Sequence, residues 1–160
     1  MTATVRLQRE PFDAAVEAAK LTRGRSDIGA VVTFTGICRG HEAGAPLVAM
    51  TLEHYPGMAE AEIARHAEAA EQRWPLLGVT VVHRYGRLTP GEDIVLVVTA
   101  AAHRQEALAA AEFLMDFLKT RAPFWKAVEY AGGKDWVDAK QSDDALADRW
   151  TGTGRREAAE

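Results

Sequence analysis

The chain has 160 residues, 48% hydrophobic and 26% charged, a balance suited to one compact domain that buries a core. Nineteen Lys and Arg against twenty-three Asp and Glu leave a net charge of −4, so no overall basic field draws nucleic acid or an anionic membrane. Cys38 is the single cysteine, which excludes an internal disulfide and a CxxC redox or zinc pair. MTATVRLQRE is too charged for a secretory leader and no run approaches about 18 apolar residues, so a cytoplasmic protein is expected.

In chain order, TATVRLQ alternates as a short edge strand, and PFDAAVEAAKL reads as a helix opening near Pro11 and closing near Gly24. IGAVVTFTGICR, 28 to 39, is a β-branched strand, followed by a glycine-bearing stretch, RGHEAGA, expected as a mobile loop. PLVAMTLEHY, 46 to 55, is a second long strand, expected to pair antiparallel with the first and to end at Pro56 and Gly57. MAEAEIARHAEAAEQRW is a helix stopped by Pro75; VTVVHRYGRL is one strand; TPGED is a turn; and DIVLVVTAAA, nearly all apolar, is a central strand. The helix from Arg104 to about Lys119 carries an apolar stripe of Ala107, Leu108, Ala111, Leu114, Met115 and Leu118, and Pro123 stops it. FWKAVEY is a strand, GGKDW a turn, WVDAK a short extended piece and QSDDALADRW a terminal helix.

Helices interleaved with mostly hairpin-linked strands predict an α+β fold, a largely antiparallel sheet packed with helices. One domain is expected over 1–150, with 151–160 as a flexible tail; a ferredoxin-like regulatory module is the competing architecture.

The chemistry concentrates in FLKTRAPFWKAVEY. Alternation places Lys126 on one face with Phe124, Val128 and Tyr130, and Lys119 follows Met115 by four residues at the edge of the helical stripe. Two lysines whose stems merely cover apolar surface fit this pattern as well as a functional pair does. Two cations about 6 Å apart at an effective dielectric near 20 repel by roughly 2.8 kcal/mol. A pocket holding both is therefore strained until an anion settles it or one lysine loses its proton. His103 and Arg104 open the long helix, where free N–H groups and the dipole favour a phosphate or carboxylate. Arg39 ends a strand beside the glycine-bearing loop. Cys38 offers a rival, a thiolate activated by Arg39 with His41 as base, against the commoner reading of a buried packing cysteine. The five histidines show no HExxH or finger spacing, and Glu53 and His54 point to opposite faces.

The stretches VVTFTGICRGH, TLEHYPGM, RWPL, VTVVHRYGRLTPGE, AAHRQEAL, FLMDFLKTRAPFWK and WVDAKQSDDALADRW resemble, in order and spacing, the catalytic large subunits of molybdopterin synthase, from about Ile28 to Trp150. The resemblance implies an α/β-hammerhead fold and a homodimer within a heterotetramer, with a small ubiquitin-like sulfur carrier at each end. It further implies transfer of two sulfurs from the carrier's C-terminal thiocarboxylate to cyclic pyranopterin monophosphate, forming the dithiolene for molybdenum, with no cofactor or metal of the subunit's own. Carried over by position, the essential lysines are Lys119 and Lys126, and the substrate contacts are Arg39, His103, Arg104 and, after WVDA, Lys140.

Arg104 and Lys119 lie fifteen residues apart on one helix, about 22 Å along its axis. Each pocket is therefore expected to combine Lys119 and Lys126 of one subunit with His103 and Arg104 of the other. Three classes of function stand beside one another: the sulfurtransferase subunit, a Cys38-dependent sulfur carrier, and a non-catalytic anion-binding or regulatory module.

Overall fold

The computed structural model describes residues 3–137 and Trp150. Two β-sheets share the work of the fold. The first comprises β1 (Thr4–Gln8), β5 (Leu76–Arg84), β7 (Asp93–Ala101) and β2 (Ala30–Ile37), in the order β1-β5-β7-β2. All its pairings are antiparallel except β1 with β5. The second runs β3 (His41–Glu42), β4 (Ala45–His54), β8 (Phe124–Tyr130) and β9 (Gly133–Val137), with β6 (Gly86–Leu88) also pairing β4.

Alternation along β5 and β7 explains the layers. Val79, Val81, Val95 and Val97 face one side, where α2 (Met58–Arg73) and α3 (Arg104–Thr120) close over them with Ile63, Ala67, Leu114 and Phe117. Val82, Leu96 and Val98 face the other, covered by α1 (Ala14–Thr22) through Ala18 and Leu21. Apolar residues at both parities make β7 a continuous hydrophobic run, and it is an interior strand as its composition predicts. A third cluster, with Cys38, Leu47, Met50, Leu52, Leu88 and Val128, belongs to the second sheet and meets the first at Ile94.

The α+β class stands, and the elements exceed a βαββαβ ferredoxin-like unit. Four local expectations change. β4 pairs with β3, β6 and β8, whereas β2 takes β7 as its partner. VTVVHRYGRL divides at Gly86, whose φ of 89° lets the chain leave the first sheet and enter the second. RGHEAGA forms a two-residue hairpin with His41 opposite Pro46 and Glu42 opposite Ala45, turning through left-handed Ala43 and Gly44. In GGKDW the turn is complete by Gly132, and Gly133 opens β9 against Tyr130.

Leu108, assigned from sequence to the apolar stripe of α3, is 55% exposed. The buried arc runs through Ala107, Ala110, Ala111, Leu114 and Leu118, which leaves Leu108 beside Arg104 and Glu112 on the open side. The expected C-terminal helix apart from Trp150, the tail 151–160 and Lys140 lie outside the described residues.

Candidate functional site

A cavity of about 280 Å³ opens where the end of β2, the C-terminal end of α3 and the face of the second sheet converge. Lys119, Lys126, Arg39, Glu42, His83 and Cys38 supply its polar lining, over an apolar floor that includes Met50, Leu52, Met115 and Phe124. Each cation arrives by a different local rule. Lys119 lies in the last turn of α3, which ends at the Arg121 cap before Pro123. Lys126 projects from β8 on the face of Phe124 and Val128, as alternation predicts. Arg39 follows β2, where the register shifts between Gly36 and Ile37.

Cys38 and Arg39 follow that shift. The strand has ended at Ile37, alternation no longer applies, and both residues line the cavity. The Cys38 N–H donates to the Glu92 carbonyl at 2.9 Å, and the Gly91 N–H donates to the Cys38 carbonyl at 2.8 Å. Cys38 itself is only 3% exposed, its Sγ 3.8 Å from the Arg39 carbonyl. Burial pushes its thiol pKa up, with the Glu92 and Glu42 charges reinforcing that and Lys126 opposing it. Such an environment suits packing and disfavours an activated thiolate.

Two residues of the site escaped the sequence reading. Glu42 lies across the cavity from β8: the Lys126 Nζ donates to its Oε1 at 3.3 Å, and an Arg39 Nη2 stands 3.7 Å from its Oε2. The repulsion expected among the clustered cations is thus partly settled by a carboxylate of the same chain. His83 lies on β5 with its ring stacked on Phe124, centroids 4.1 Å apart. Its Nδ1 is 2.8 Å from the Arg84 carbonyl, which accepts only, so Nδ1 carries the proton and Nε2 is the bare nitrogen. Burial lowers its pKa to about 4, helped by Lys119 and His54 and opposed by the Arg84 carbonyl. The imidazole is neutral near pH 7.

His103 and Arg104 are exposed at the start of α3, with His103 in the N-cap position and no side-chain cap bond from it. Neither lines the cavity. The continuous helix Arg104–Thr120 holds them at the far end from Lys119. Glu53 and His54 do part as expected, with His54 packed against Tyr85 and Phe124.

Comparison with known proteins fixes the family: the profile described as MoaE protein matches residues 7–121. This chain belongs to the MoaE family. A MoaE-family protein of Mesorhizobium japonicum, named molybdopterin synthase catalytic subunit, is 60% identical over 149 residues, covering 92% of either chain. Among solved structures, the molybdopterin biosynthesis MoaE protein of Burkholderia ambifaria superposes with a TM-score of 0.79 at 46% identity, over 92% of this chain and 97% of that one. A molybdopterin synthase from Staphylococcus aureus gives 0.77 at 28% identity, over 82% and 95%. The MoaE assignment accords with a mixed α+β domain whose lysine-bearing cavity is built from the stretch FLKTRAPFWK.

Proposed function

We propose that this chain is the catalytic subunit of a molybdopterin synthase, moving sulfur from the C-terminal thiocarboxylate of a small ubiquitin-like carrier to cyclic pyranopterin monophosphate. The observation that carries this reading is the convergence of Lys119, Lys126 and Arg39 on one cavity in a MoaE-family chain. Both reactants are anionic, and a partly enclosed cavity with three cations over an apolar floor suits them. Lys119, at the rim, engages the thiocarboxylate carbonyl and stabilises the negative charge that develops as the acyl–sulfur bond is attacked. Lys126 neutralises the substrate and assists proton transfer. Arg39 contacts the phosphate, and Lys140 joins it as a phosphate contact by its position after WVDA.

His103 and Arg104 enter this scheme from a second copy of the chain. The length of α3 supports that assignment, because a single small ligand does not span both of its ends. So does the surface around them: Leu108 is exposed one turn from Arg104, and Val31 and Phe34 are exposed on β2, an edge strand that packs against α3. The working assembly is a homodimer with one carrier on each subunit, and the reaction takes place in the cytoplasm. No helix among the described residues is long and apolar enough to cross a membrane.

Reconstitution tests the proposal. Purified protein, thiocarboxylated carrier and cyclic pyranopterin monophosphate are combined, and mass spectrometry counts the sulfurs added. Two sulfurs per pterin are expected; none from well-folded protein with an active carrier would turn the reading toward an anion-binding module.

A further inference from the structure

Among the described residues that line the cavity Glu42 is the one carboxylate, and it is placed against two of the cations that the proposed reaction needs. Its side chain is 13% exposed, Lys126 donates to one oxygen at 3.3 Å, and Arg39 approaches the other at 3.7 Å. It is carried by a two-residue strand, β3, which pairs with the start of β4 and turns back through Ala43 and Gly44 at φ of 50° and 78°. The base of that hairpin is closed by the Leu47 N–H donating to the Gly40 carbonyl at 2.8 Å.

A carboxylate in this place has the charge and the oxygen geometry of the ligands the cavity is proposed to take. A bound oxyanion cannot share Lys126 and Arg39 with an ionised Glu42 without like-charge repulsion in a partly enclosed space. We propose that Glu42 is a resident counter-anion of this cavity, exchanged for the oxyanion of an incoming ligand and thereby setting how tightly that ligand is held. The inference rests on the cavity being the reaction site proposed above and adds a determinant of its affinity. The free subunit keeps Lys126 and Arg39 paired through Glu42; the ligand takes over the same donors, and the displaced carboxylate turns toward solvent beside the hairpin. Exchange makes net affinity the difference between two oxyanions, so the site releases a reacted carboxylate tail more readily than bare lysines would.

Oxyanions of two sources share this chemistry, a C-terminal carboxylate and a phosphate, and the test separates them. Wild type and Glu42→Gln, which keeps size and hairpin position, are titrated calorimetrically with a peptide ending in Gly-Gly and a free carboxylate, with its amidated counterpart, and with inorganic phosphate. Tighter binding by about five- to tenfold in Glu42→Gln is expected, for the free peptide if the carrier tail is the exchanging group and for phosphate if the pterin is. The amidated peptide should show no difference. Equal binding, weaker binding by Glu42→Gln, or no binding of either anion to either form would overturn the exchange.

Sulfur transfer by the wild type is measured alongside. Active wild type with equal binding by the two forms refutes the exchange and leaves the function standing. Inactive wild type with tighter binding by Glu42→Gln refutes the function and leaves the exchange. Glu42→Ala, which removes the carboxylate by truncation, should reproduce the tighter binding if Glu42→Gln proves poorly folded.

Discussion

Acidification from pH 7.5 to 5 should remove about 2 kcal/mol of stability through His83 alone. Burial, with smaller help from Lys119 and His54, holds the ring's pKa at about 4 against 6.5 for a solvated imidazole, the Arg84 carbonyl opposing. The unfolded chain takes up this proton as pH falls through 6.5, while the native chain refuses it until about 4. Stability from His83 is therefore full above 6.5 and is lost as pH falls toward 4. At about 1.4 kcal/mol per pH unit the whole window is worth roughly 3.4 kcal/mol, of which about 2 has gone by pH 5. His66, stacked on Phe117 and lowered first by burial, adds in the same direction, whereas Glu71, raised by burial, acts in the opposite one. Both are common to wild type and a His83→Gln variant, so they cancel in the comparison. Glu17, Asp27, Glu62 and Glu92, all lowered by hydrogen-bonded partners, are likewise common to both proteins and cancel. Urea unfolding of both proteins at pH 7.5 and 5 gives four free energies. Their double difference should be about 2 kcal/mol, with the variant less sensitive to acid. Identical pH dependence would refute the buried, neutral imidazole.

Mixing Lys119→Ala with Arg104→Ala, each inactive as a homodimer, should restore about a quarter of wild-type sulfur transfer after subunit exchange, since half the dimers are hybrids with one intact pocket each. A pocket built within one chain would give none. Gly29→Ala should cost about 1–3 kcal/mol in urea unfolding, because a Cβ there would stand 2.2 Å from the Ala102 carbonyl oxygen just before α3. An unchanged midpoint would mean that the start of α3 is not held as described.

Much of the fold was legible because its signals are local. Trp74 before Pro75 and the Pro123 stop are visible as residue types, whereas the first helix opens past Pro11, capped by Asp13, whose carboxylate accepts from the Val16 N–H at 3.1 Å. The partition of strands into two sheets was not, because β2 and β4 carry similar β-branched and apolar patterns and their choice of partner is made at long range. Gly86 was the available signal for the break between β5 and β6, a glycine inside an alternating run. At the site, the periodicity of FWKAVEY placed Lys126 correctly. Glu42 was hidden in a stretch that looked like solvated loop, and its meaning comes from Lys126, 84 residues away. His83 lacked any motif; what distinguishes it is burial on β5 beneath the ring of Phe124. Cys38 fits the packing reading favoured from sequence, since a neighbouring arginine does not lower a thiol that burial and two carboxylates raise.

In the proposed reaction lysines at this cavity, not the thiol, move the sulfur. Single-turnover transfer to cyclic pyranopterin monophosphate, compared for wild type, Lys119→Ala and Cys38→Ala with the same thiocarboxylated carrier, tests it most directly. Lys119→Ala should slow transfer by about 100- to 1,000-fold, the loss typical of removing one donor to a developing oxyanion. Cys38→Ala should remain within about threefold of wild type, as befits a packing cysteine. A near-normal Lys119→Ala beside an inactive but folded Cys38→Ala would assign the sulfur transfer to the thiol instead.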